Sequence, residues 1–314
     1  MDPAPRADAA GMDRQAGRTR TPLGRGTYAG RRERRGGTTV ARVWGAALSG
    51  GGAPGTAAHL GLLEALAERG LLPDILVGAS AGGIAAAMLG AGLTPSRALA
   101  LWGDVARDPW ALLPREALHA VDALLRPSPT PGLIDLAAFI HRLLPPQACT
   151  DVAEWSPGHG VVATDMDGGV TVLLHAGDPA GWRTAAAITA TAALPGLIAG
   201  VRGPDGHLYQ DGGLLDDDPV AACRRLGAER VLLVHIGAPR TVPGELSVSE
   251  VLDLSLTIGL GRLDAAANPA PADLRVDVAV EGGLCTLALW EADAQAGRTL
   301  ALQALPSIRD LAGA

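Results

Sequence analysis

Three short motifs in this chain hold the residue types that acyl-transfer chemistry requires. In the first, Gly78-Ala79-Ser80-Ala81-Gly82, a serine is flanked by small residues at two positions on each side. This is the pattern of a nucleophile elbow, a sharp strand-to-helix turn in which larger side chains would collide with neighbouring backbone. The Ser80 hydroxyl would then project at a helix N-terminus, whose dipole favours developing negative charge. The alternative is a serine in a purely structural turn, because the pattern often arises by chance.

The second motif is the glycine-rich loop Gly50-Gly51-Gly52-Ala53-Pro54-Gly55. It also fits the GxGxxG pattern of dinucleotide sites, but that fingerprint needs an acid at the end of the second strand to bind the ribose hydroxyls. The nearby acid, Asp74, stands at the beginning of that strand and so at the wrong edge of the sheet. We favour an oxyanion hole, since consecutive glycines let backbone N–H groups converge on the oxygen of a tetrahedral intermediate.

A general base is the third requirement, and two residue types could supply it. His235 fits the chain order of an α/β-hydrolase, but it ends a buried apolar strand, which favours a packing role. Asp-Gly-Gly occurs at 167–169 and at Asp211-Gly212-Gly213. The first lies between two alternating segments and indicates a turn. The second follows a short strand carrying Tyr209, so its carboxylate could be held at the edge of a sheet.

The segments around these motifs predict a parallel α/β construction. A buried strand (Val40 to Leu48) precedes the glycine loop, a helix follows over Thr56 to Arg69, and a strand (Asp74 to Val77) leads into the elbow and an Ala-rich helix. Both loops then leave the same edge of the sheet and can face one another. Further expected elements are a helical region over 95–144, a hairpin of 160–164 and 170–175, a helix capped by Asp178 and running to about Ala193, an extended segment 207–210, a helix over 219–226 and a strand over 230–236.

Taken together, these motifs resemble the patatin-like phospholipases, in particular the bacterial acyl hydrolases of that family. The resemblance runs from about Val43 to Ile236 and has the motifs in family order: the glycine loop with Gly55, the elbow from Gly78 to Gly82, and the Asp211 triplet. Spacer segments 161–165, 190–195 and 214–220 match as well. The resemblance implies a three-layer α/β/α sandwich with a mostly parallel central sheet, and no cofactor, metal or catalytic histidine.

The resemblance also implies a role for each motif residue. Ser80 would be the nucleophile and Asp211 the base, and the amides of the segment Gly50, Gly51, Gly52 and Ala53 would form the oxyanion hole. The implied activity is that of a lipid acyl hydrolase. Alternatives are an acyltransferase that uses the same acyl-serine intermediate and a silent lipid-binding relative. This chain departs from the family pattern at three positions: Pro54 replaces Arg or Lys, Asp217 a frequent Asn, and Thr191 a common Ser.

Charge and composition divide the chain and exclude several functions. Of 314 residues, 1–39 form an Arg-rich arm that we expect to be disordered, and 40–314 form the patatin-like domain.

The run Arg31 to Arg35 has three interpretations: a solvated tail, a contact with anionic lipid headgroups, or nucleic-acid binding. A net charge of −7 with 3% aromatic residues disfavours nucleic acid. All basic residues are Arg, so Lys-dependent Schiff-base and P-loop chemistry is excluded.

The remaining expectations concern location, partners and the acyl site. The N-terminus lacks the apolar core of a signal peptide and no apolar run reaches 18 residues, which predicts a cytoplasmic protein with peripheral membrane contact. The three cysteines lie far apart, so we expect small buried residues and no disulfide framework or zinc site. Segments 84–105 and 131–144 could line an acyl channel and 246–263 could form a lid or dimer contact, with core packing as the alternative. The sequence leaves the oligomeric state open.

Overall fold

The computed structural model describes residues 43–108, 148–178, 180–237 and 271–314, together with positions 128, 130, 136, 140, 143–146 and 251. The Arg-rich arm and most of the segments 109–144 and 246–263 lie outside the described residues. The predicted arm, the channel segment 131–144 and the lid therefore stay predictions, as does the division of the chain at residue 39. The other proposed channel segment, 84–105, is described, and most of its apolar side chains are buried in the main core, in agreement with the alternative of core packing.

The described strands form one mixed sheet of eight strands, in the order β5-β6-β3-β2-β1-β7-β8 with β4 paired to β3. The neighbours β1–β2, β2–β3, β1–β7 and β7–β8 are parallel, and β4, β5 and β6 add antiparallel pairs. The strands are β1 Trp44–Leu48, β2 Ile75–Gly78, β3 His159–Asp165, β4 Val170–His175, β5 Val201–Arg202, β6 Leu208–Asp211, β7 Arg230–Gly237 and β8 Leu274–Ala279. This architecture confirms the predicted α/β class.

Helices cover both faces of the sheet. A large apolar core joins one face to most of the described helices, and a smaller core joins the other face to α5, so the layers are helix, sheet and helix. The described α-helices are α1 Gly52–Ala67, α2 Ser80–Gly90, α3 Pro95–Arg107, α4 Thr184–Ala192, α5 Val220–Arg225, α6 Trp290–Gln303 and α7 Leu305–Ala312.

Two of the predicted helix starts were wrong, each for a local reason. Helix α1 begins at Gly52 instead of Thr56, because the second half of the glycine loop already has helical hydrogen bonding, from the Gly55 amide to the Gly51 carbonyl. Helix α4 begins at Thr184, and Asp178 instead closes a turn by accepting a hydrogen bond from the Ala180 amide. The predicted hairpin formed as β3 and β4, with Asp167 to Gly169 in its turn.

The cysteines differ in exposure. Cys223 is buried as expected, whereas Cys149 is half-buried and Cys285 is exposed, so the expectation of three buried residues was wrong for these two. All three are free thiols. Cys285 lies in an irregular segment between β8 and α6.

One feature of the sheet brings the motifs together. Strands β2 and β6 share one edge of β3: Gly78 at the end of β2 pairs with Val161, and Asp211 at the end of β6 pairs with Ala163. Because β2 is parallel to β3 and β6 is antiparallel to it, the two strands run toward each other and end two residues apart. The segments that follow, which hold Ser80 and Asp211, therefore meet at one point.

Candidate active site

The elbow at Ser80 has a strained backbone that its neighbouring glycines permit. Ser80 has φ of 49° and is the sole non-glycine residue with positive φ in the described part of the chain. A Cβ on Gly78 would lie 2.1 Å from the Gly82 backbone, and one on Gly82 would lie 2.4 Å from the Leu48 carbonyl oxygen. Both positions therefore have to be glycine for the turn to close. Strain of this kind persists only where the surrounding structure enforces it, and it is concentrated at functional sites.

Ser80 and Asp211 form a hydrogen-bonded pair. The Ser80 Oγ donates to Asp211 Oδ2 at 2.8 Å. Asp211 is 2% exposed, and its other oxygen, Oδ1, accepts from the Gly213 amide at 2.8 Å. The Thr164 hydroxyl donates to the Asp211 carbonyl, also at 2.8 Å, which fixes the backbone. A Cβ on Gly212 would lie 2.3 Å from the Val162 carbonyl oxygen, so this glycine lets the segment pack against β3.

Burial changes the acidity of this carboxyl. It raises the pKa of Asp211 to about 7, and the hydrogen bonds from Ser80 and the Gly213 amide oppose the increase. A general base works best when its pKa lies near the working pH. An aspartate with an ordinary pKa is a weak base at neutral pH. Desolvation gives Asp211 the higher pKa that a general base would need.

The four backbone amides of residues 50–53 in the glycine loop differ in whether they already have a hydrogen-bond acceptor. The Gly50 amide donates to Asp217 Oδ1 at 3.0 Å, and the Ala53 amide donates to the Leu284 carbonyl at 2.7 Å. For the Gly51 and Gly52 amides, no described residue supplies an acceptor. The two middle amides are thus the ones available to a ligand, while the outer two anchor the loop.

The conformation of the middle of the loop requires glycine. Gly51 and Gly52 have φ of 137° and 62°, where side chains are strongly disfavoured. A Cβ on Gly51 would lie 2.7 Å from the Ile236 side chain, and one on Gly52 would lie 2.4 Å from the Leu284 carbonyl oxygen. Pro54 lacks an N–H, but it stands in the first turn of α1, where that N–H has no helical acceptor.

A buried histidine supports the start of the loop. Burial lowers the pKa of His59 to about 4, so this ring is neutral at pH 7. Its Nε2 lies 2.9 Å from the Ser49 carbonyl, and since a carbonyl can only accept, Nε2 carries the proton. Ser49 Oγ in turn accepts from the Ile236 amide at 2.8 Å. The strand-to-loop junction is therefore tied to both α1 and β7.

Sequence reasoning assigned no role to Thr191 beyond noting that it stands where the family often has Ser. The Thr191 Oγ1 accepts a hydrogen bond from the Ser80 amide at 3.1 Å. A Cβ on Gly83 would lie 2.4 Å from the same oxygen, so Gly83 makes the room that this contact needs. Asp217 and Leu284 anchor the glycine loop. Asp217 was likewise noted only as a departure from the family pattern, and Leu284 was missed as a site residue. Their contacts are made across long stretches of sequence, and no local pattern indicates them.

His235, the alternative base, contacts a different carboxylate. Its Nδ1 donates to Asp218 Oδ1 at 2.9 Å, and this bond raises the pKa of His235. The hydrogen-bond partner of Ser80 is Asp211. The packing role expected for His235 at the end of β7 therefore agrees with the structure.

Among the described residues, two groups of side chains have the composition of a metal site: Asp165 with Asp167 and His207, and Asp217 with Asp218 and His235. In both groups every carboxylate and every imidazole ring already makes a hydrogen bond within the protein. His207 Nδ1 donates to Asp165 Oδ2 at 2.9 Å, and Asp165 Oδ1 accepts two turn amides. These hydrogen bonds account for both clusters, and we assign no metal to either. Among the described helices, none has the length and apolar character needed to cross a membrane.

Comparisons with known proteins bear on the same residues. A family model described as "Patatin-like phospholipase" matches residues 46–224, a region that contains all three motifs. The human "Patatin-like phospholipase domain-containing protein 6" is 31% identical over 206 residues, which cover 64% of this chain and 14% of that protein. An "Uncharacterized NTE family protein" of Mycobacterium tuberculosis is 30% identical over 197 residues, covering 63% of this chain and 50% of that protein. This chain therefore matches half or less of the length of these relatives.

A solved structure shares the fold. The crystal structure of VipD from Legionella pneumophila superimposes with a TM-score of 0.55 at 18% sequence identity, covering 85% of this chain and 67% of that chain. At this level of identity the likeness concerns the fold and no particular activity.

Proposed function

The chain belongs to the patatin-like phospholipase family, and we propose that it is a lipid acyl hydrolase that cleaves carboxylic ester bonds through an acyl-Ser80 intermediate. The observation that carries this proposal is the 2.8 Å hydrogen bond from Ser80 Oγ to a buried Asp211 whose pKa is raised to about 7. A nucleophile in hydrogen-bond contact with a base of matched pKa is the arrangement that nucleophilic catalysis needs.

Acylation begins with attack of Ser80 Oγ on the ester carbonyl carbon. As the Oγ–C bond forms, the hydroxyl proton passes to Asp211 Oδ2, and the carbonyl oxygen becomes an oxyanion. Collapse of this tetrahedral intermediate breaks the bond to the alcohol oxygen, which takes the proton from Asp211. The alcohol leaves and the acyl group stays on Ser80.

Deacylation repeats the sequence with water. Asp211 accepts a proton from a water molecule that attacks the acyl-Ser80 carbonyl, and the second tetrahedral intermediate expels Ser80 Oγ, which regains its proton from Asp211. The products are a carboxylic acid and the free enzyme. An acceptor alcohol in place of water would turn the same intermediate to acyl transfer.

The Gly51 and Gly52 amides are the donors proposed for both oxyanions. They stand between two anchored amides at the N-terminus of α1, where the helix dipole also favours negative charge. Loss of one such donor typically costs about 10²–10³-fold in rate. Gly50 and Ala53, whose amides are occupied, would serve by holding the loop.

We further propose that the substrate is taken from a lipid aggregate. The Arg31 to Arg35 run would contact anionic headgroups, since clustered arginines near a lipid surface gain about 1 kcal/mol each. Cosedimentation with anionic and zwitterionic vesicles, before and after replacement of these arginines by Gln, tests this contact. Equal binding of both forms to anionic vesicles would remove the arm from the proposal.

Covalent labelling tests the proposed nucleophile. Intact mass is measured after treatment with a fluorophosphonate lipid analogue for wild type, Ser80→Ala, Asp211→Asn and Ser96→Ala, the last an exposed serine in α3 as a matched control. We expect one adduct on wild type and Ser96→Ala, none on Ser80→Ala, and strongly slowed labelling of Asp211→Asn. Folded wild-type protein that takes no adduct in the presence of vesicles would refute the hydrolase.

A further inference from the structure

One carboxylate outside the Ser80–Asp211 pair, that of Asp217, lies between the glycine loop and the Asp211-Gly212-Gly213 segment. Asp217 Oδ1 accepts the hydrogen bond from the Gly50 amide at 3.0 Å. A Cβ on Gly50 would lie 2.5 Å from this oxygen, and one on Gly213 would lie 2.8 Å from it. The Asp217 oxygen therefore occupies a space that exists only because the facing position in each loop is glycine.

We propose that Asp217 is a positioning residue for the ester hydrolysis: it anchors the glycine loop beside Ser80 and couples electrostatically to Asp211. This inference rests on the proposed function. A Cβ on Gly50 would lie 3.4 Å from the Ser80 Cβ, so the anchored residue abuts the nucleophile. With Gly50 held at one end of the loop, the amides that follow it are fixed before substrate arrives, as electrostatic stabilisation of a transition state requires.

Asp217 and Asp211 flank the same glycine, since a Cβ on Gly213 would lie 2.8 Å from Asp217 Oδ1 and 3.2 Å from Asp211 Oδ1. Their negative charges are therefore close enough to interact. The pKa of Asp217 is raised to about 7, mainly by burial and further by the negative charges of Asp218 and Asp211. The hydrogen bond from the Gly50 amide and the charge of His235 act in the opposite direction. Asp218 is itself paired with His235 at 2.9 Å and faces the Arg275 guanidinium at 3.8 Å. Repulsion between two carboxylates is reciprocal, so an ionised Asp217 makes Asp211 harder to ionise by the same amount.

The conservative variant separates anchoring from charge. Asp217→Asn keeps an oxygen for the Gly50 amide and removes the negative charge. In the pH profile of kcat/KM on a soluble ester, we expect the midpoint of the rising limb to fall by on the order of one pH unit, with the plateau retained. Asp216→Asn is the matched control: it removes a charge one residue away, which acts on Cys223, and should move the midpoint less.

The truncating variant tests the anchor. Asp217→Ala leaves the Gly50 amide without its acceptor, and we expect the plateau value of kcat, above the midpoint, to fall while KM changes little, because oxyanion donors act in the transition state. The expected loss is about 10-fold or more, and Asp217→Asn should recover most of it. Equal loss in kcat for both variants, or a loss confined to KM, would overturn the anchoring role. Thermal unfolding of each variant shows whether the fold is kept.

A double-mutant cycle tests the coupling without catalysis. Urea unfolding is measured at pH 5 and pH 8 for wild type, Asp211→Asn, Asp217→Asn and the double variant. We expect the two effects to add at pH 5, where both carboxyls are neutral, and to fall short of additivity at pH 8, where both are charged. Additivity at pH 8 would overturn the coupling.

The outcomes for Asp217 and for the proposed function can be told apart. Wild type that hydrolyses ester while Asp217→Asn keeps its midpoint would refute the coupling and leave the hydrolase intact. Wild type that neither hydrolyses nor labels would refute the hydrolase, and the unfolding cycle would still decide whether Asp217 and Asp211 interact.

Discussion

Replacing Asp211 by Asn should abolish hydrolysis and at the same time stabilise the protein above neutral pH. Asn has nearly the same shape and keeps an oxygen for the Gly213 amide, which donates to Asp211 Oδ1 at 2.8 Å. It cannot be ionised, so it removes the cost of holding a charge in the buried site. The size of that cost follows from the difference between the ordinary pKa of an aspartate, 3.8, and the raised pKa of Asp211, about 7. At 1.36 kcal/mol per pKa unit, it reaches about 4 kcal/mol.

The sign and the pH window follow from proton linkage. Between pH 4 and pH 7 the unfolded chain has released the Asp211 proton while the folded protein still holds it, so rising pH favours unfolding. Wild type should therefore lose stability relative to Asp211→Asn across this window, with a constant difference above pH 7. Below pH 4 the Asp211 carboxyl is neutral in both the folded and the unfolded protein, so wild type and Asp211→Asn should have similar free energies of unfolding.

Urea unfolding at half-unit steps from pH 4 to pH 8.5 measures this difference. Asp104→Asn is the matched control, because Asp104 is a surface acid of α3 in an exposed pair with Arg107. Pairs of this kind contribute little, and the control should follow wild type at all pH values. Parallel curves for wild type and Asp211→Asn would refute the reasoning that desolvation sets the pKa of the base.

Three further predictions concern the pH profile, the elbow and the nucleophile. Activity should rise with pH to a midpoint near 7, because Asp211 must be ionised to accept a proton; a midpoint near 4 in kcat/KM would contradict its burial. Gly82→Ala places a Cβ 2.4 Å from a backbone oxygen at the end of β1 and should lower stability by about 1–3 kcal/mol in urea unfolding. Gly237→Ala, whose Cβ would lie no closer than 4.0 Å to any described residue beyond its chain neighbours, is its control and should stay within about 0.5 kcal/mol of wild type. Thr191→Ala removes the acceptor of the Ser80 amide and should slow fluorophosphonate labelling about fivefold, or about 1 kcal/mol, whereas Thr191→Ser should restore it. Unchanged labelling of Thr191→Ala would exclude a role in orienting the nucleophile.

The motif residues could be predicted because their requirements are local. Gly78 and Gly82 are needed by a turn that spans five residues, and Gly51 and Gly52 are needed by positive φ values in one loop. Steric demands of this kind are visible in sequence as runs of small residues. The class of fold could be predicted for a related reason, since buried strands and helices each impose a period on the apolar residues.

Helix starts and anchoring contacts could not be predicted to the same degree. The first turn of α1 is held by the Leu284 carbonyl, which accepts from the Ala53 amide and is supplied by a segment more than 200 residues away. The anchor from Asp217 to Gly50 spans 167 residues. Neither contact leaves a periodic or local signal, because its partners are brought together only by the order of strands in the sheet.

The sequence by itself determined which residues could carry the chemistry, since a serine in a tight turn, consecutive glycines and an Asp-Gly-Gly triplet satisfy steric rules that act within a few residues. The tertiary structure decided what these residues can do. The C-terminal ends of strands β2 and β6 meet along one edge of β3. This brings Ser80 into contact with Asp211, which is 131 residues away in sequence. Burial at that junction raises the pKa of Asp211, and loop contacts leave the Gly51 and Gly52 amides for a ligand. Desolvation and long-range hydrogen bonds depend on the packed surroundings, which no short stretch of sequence contains.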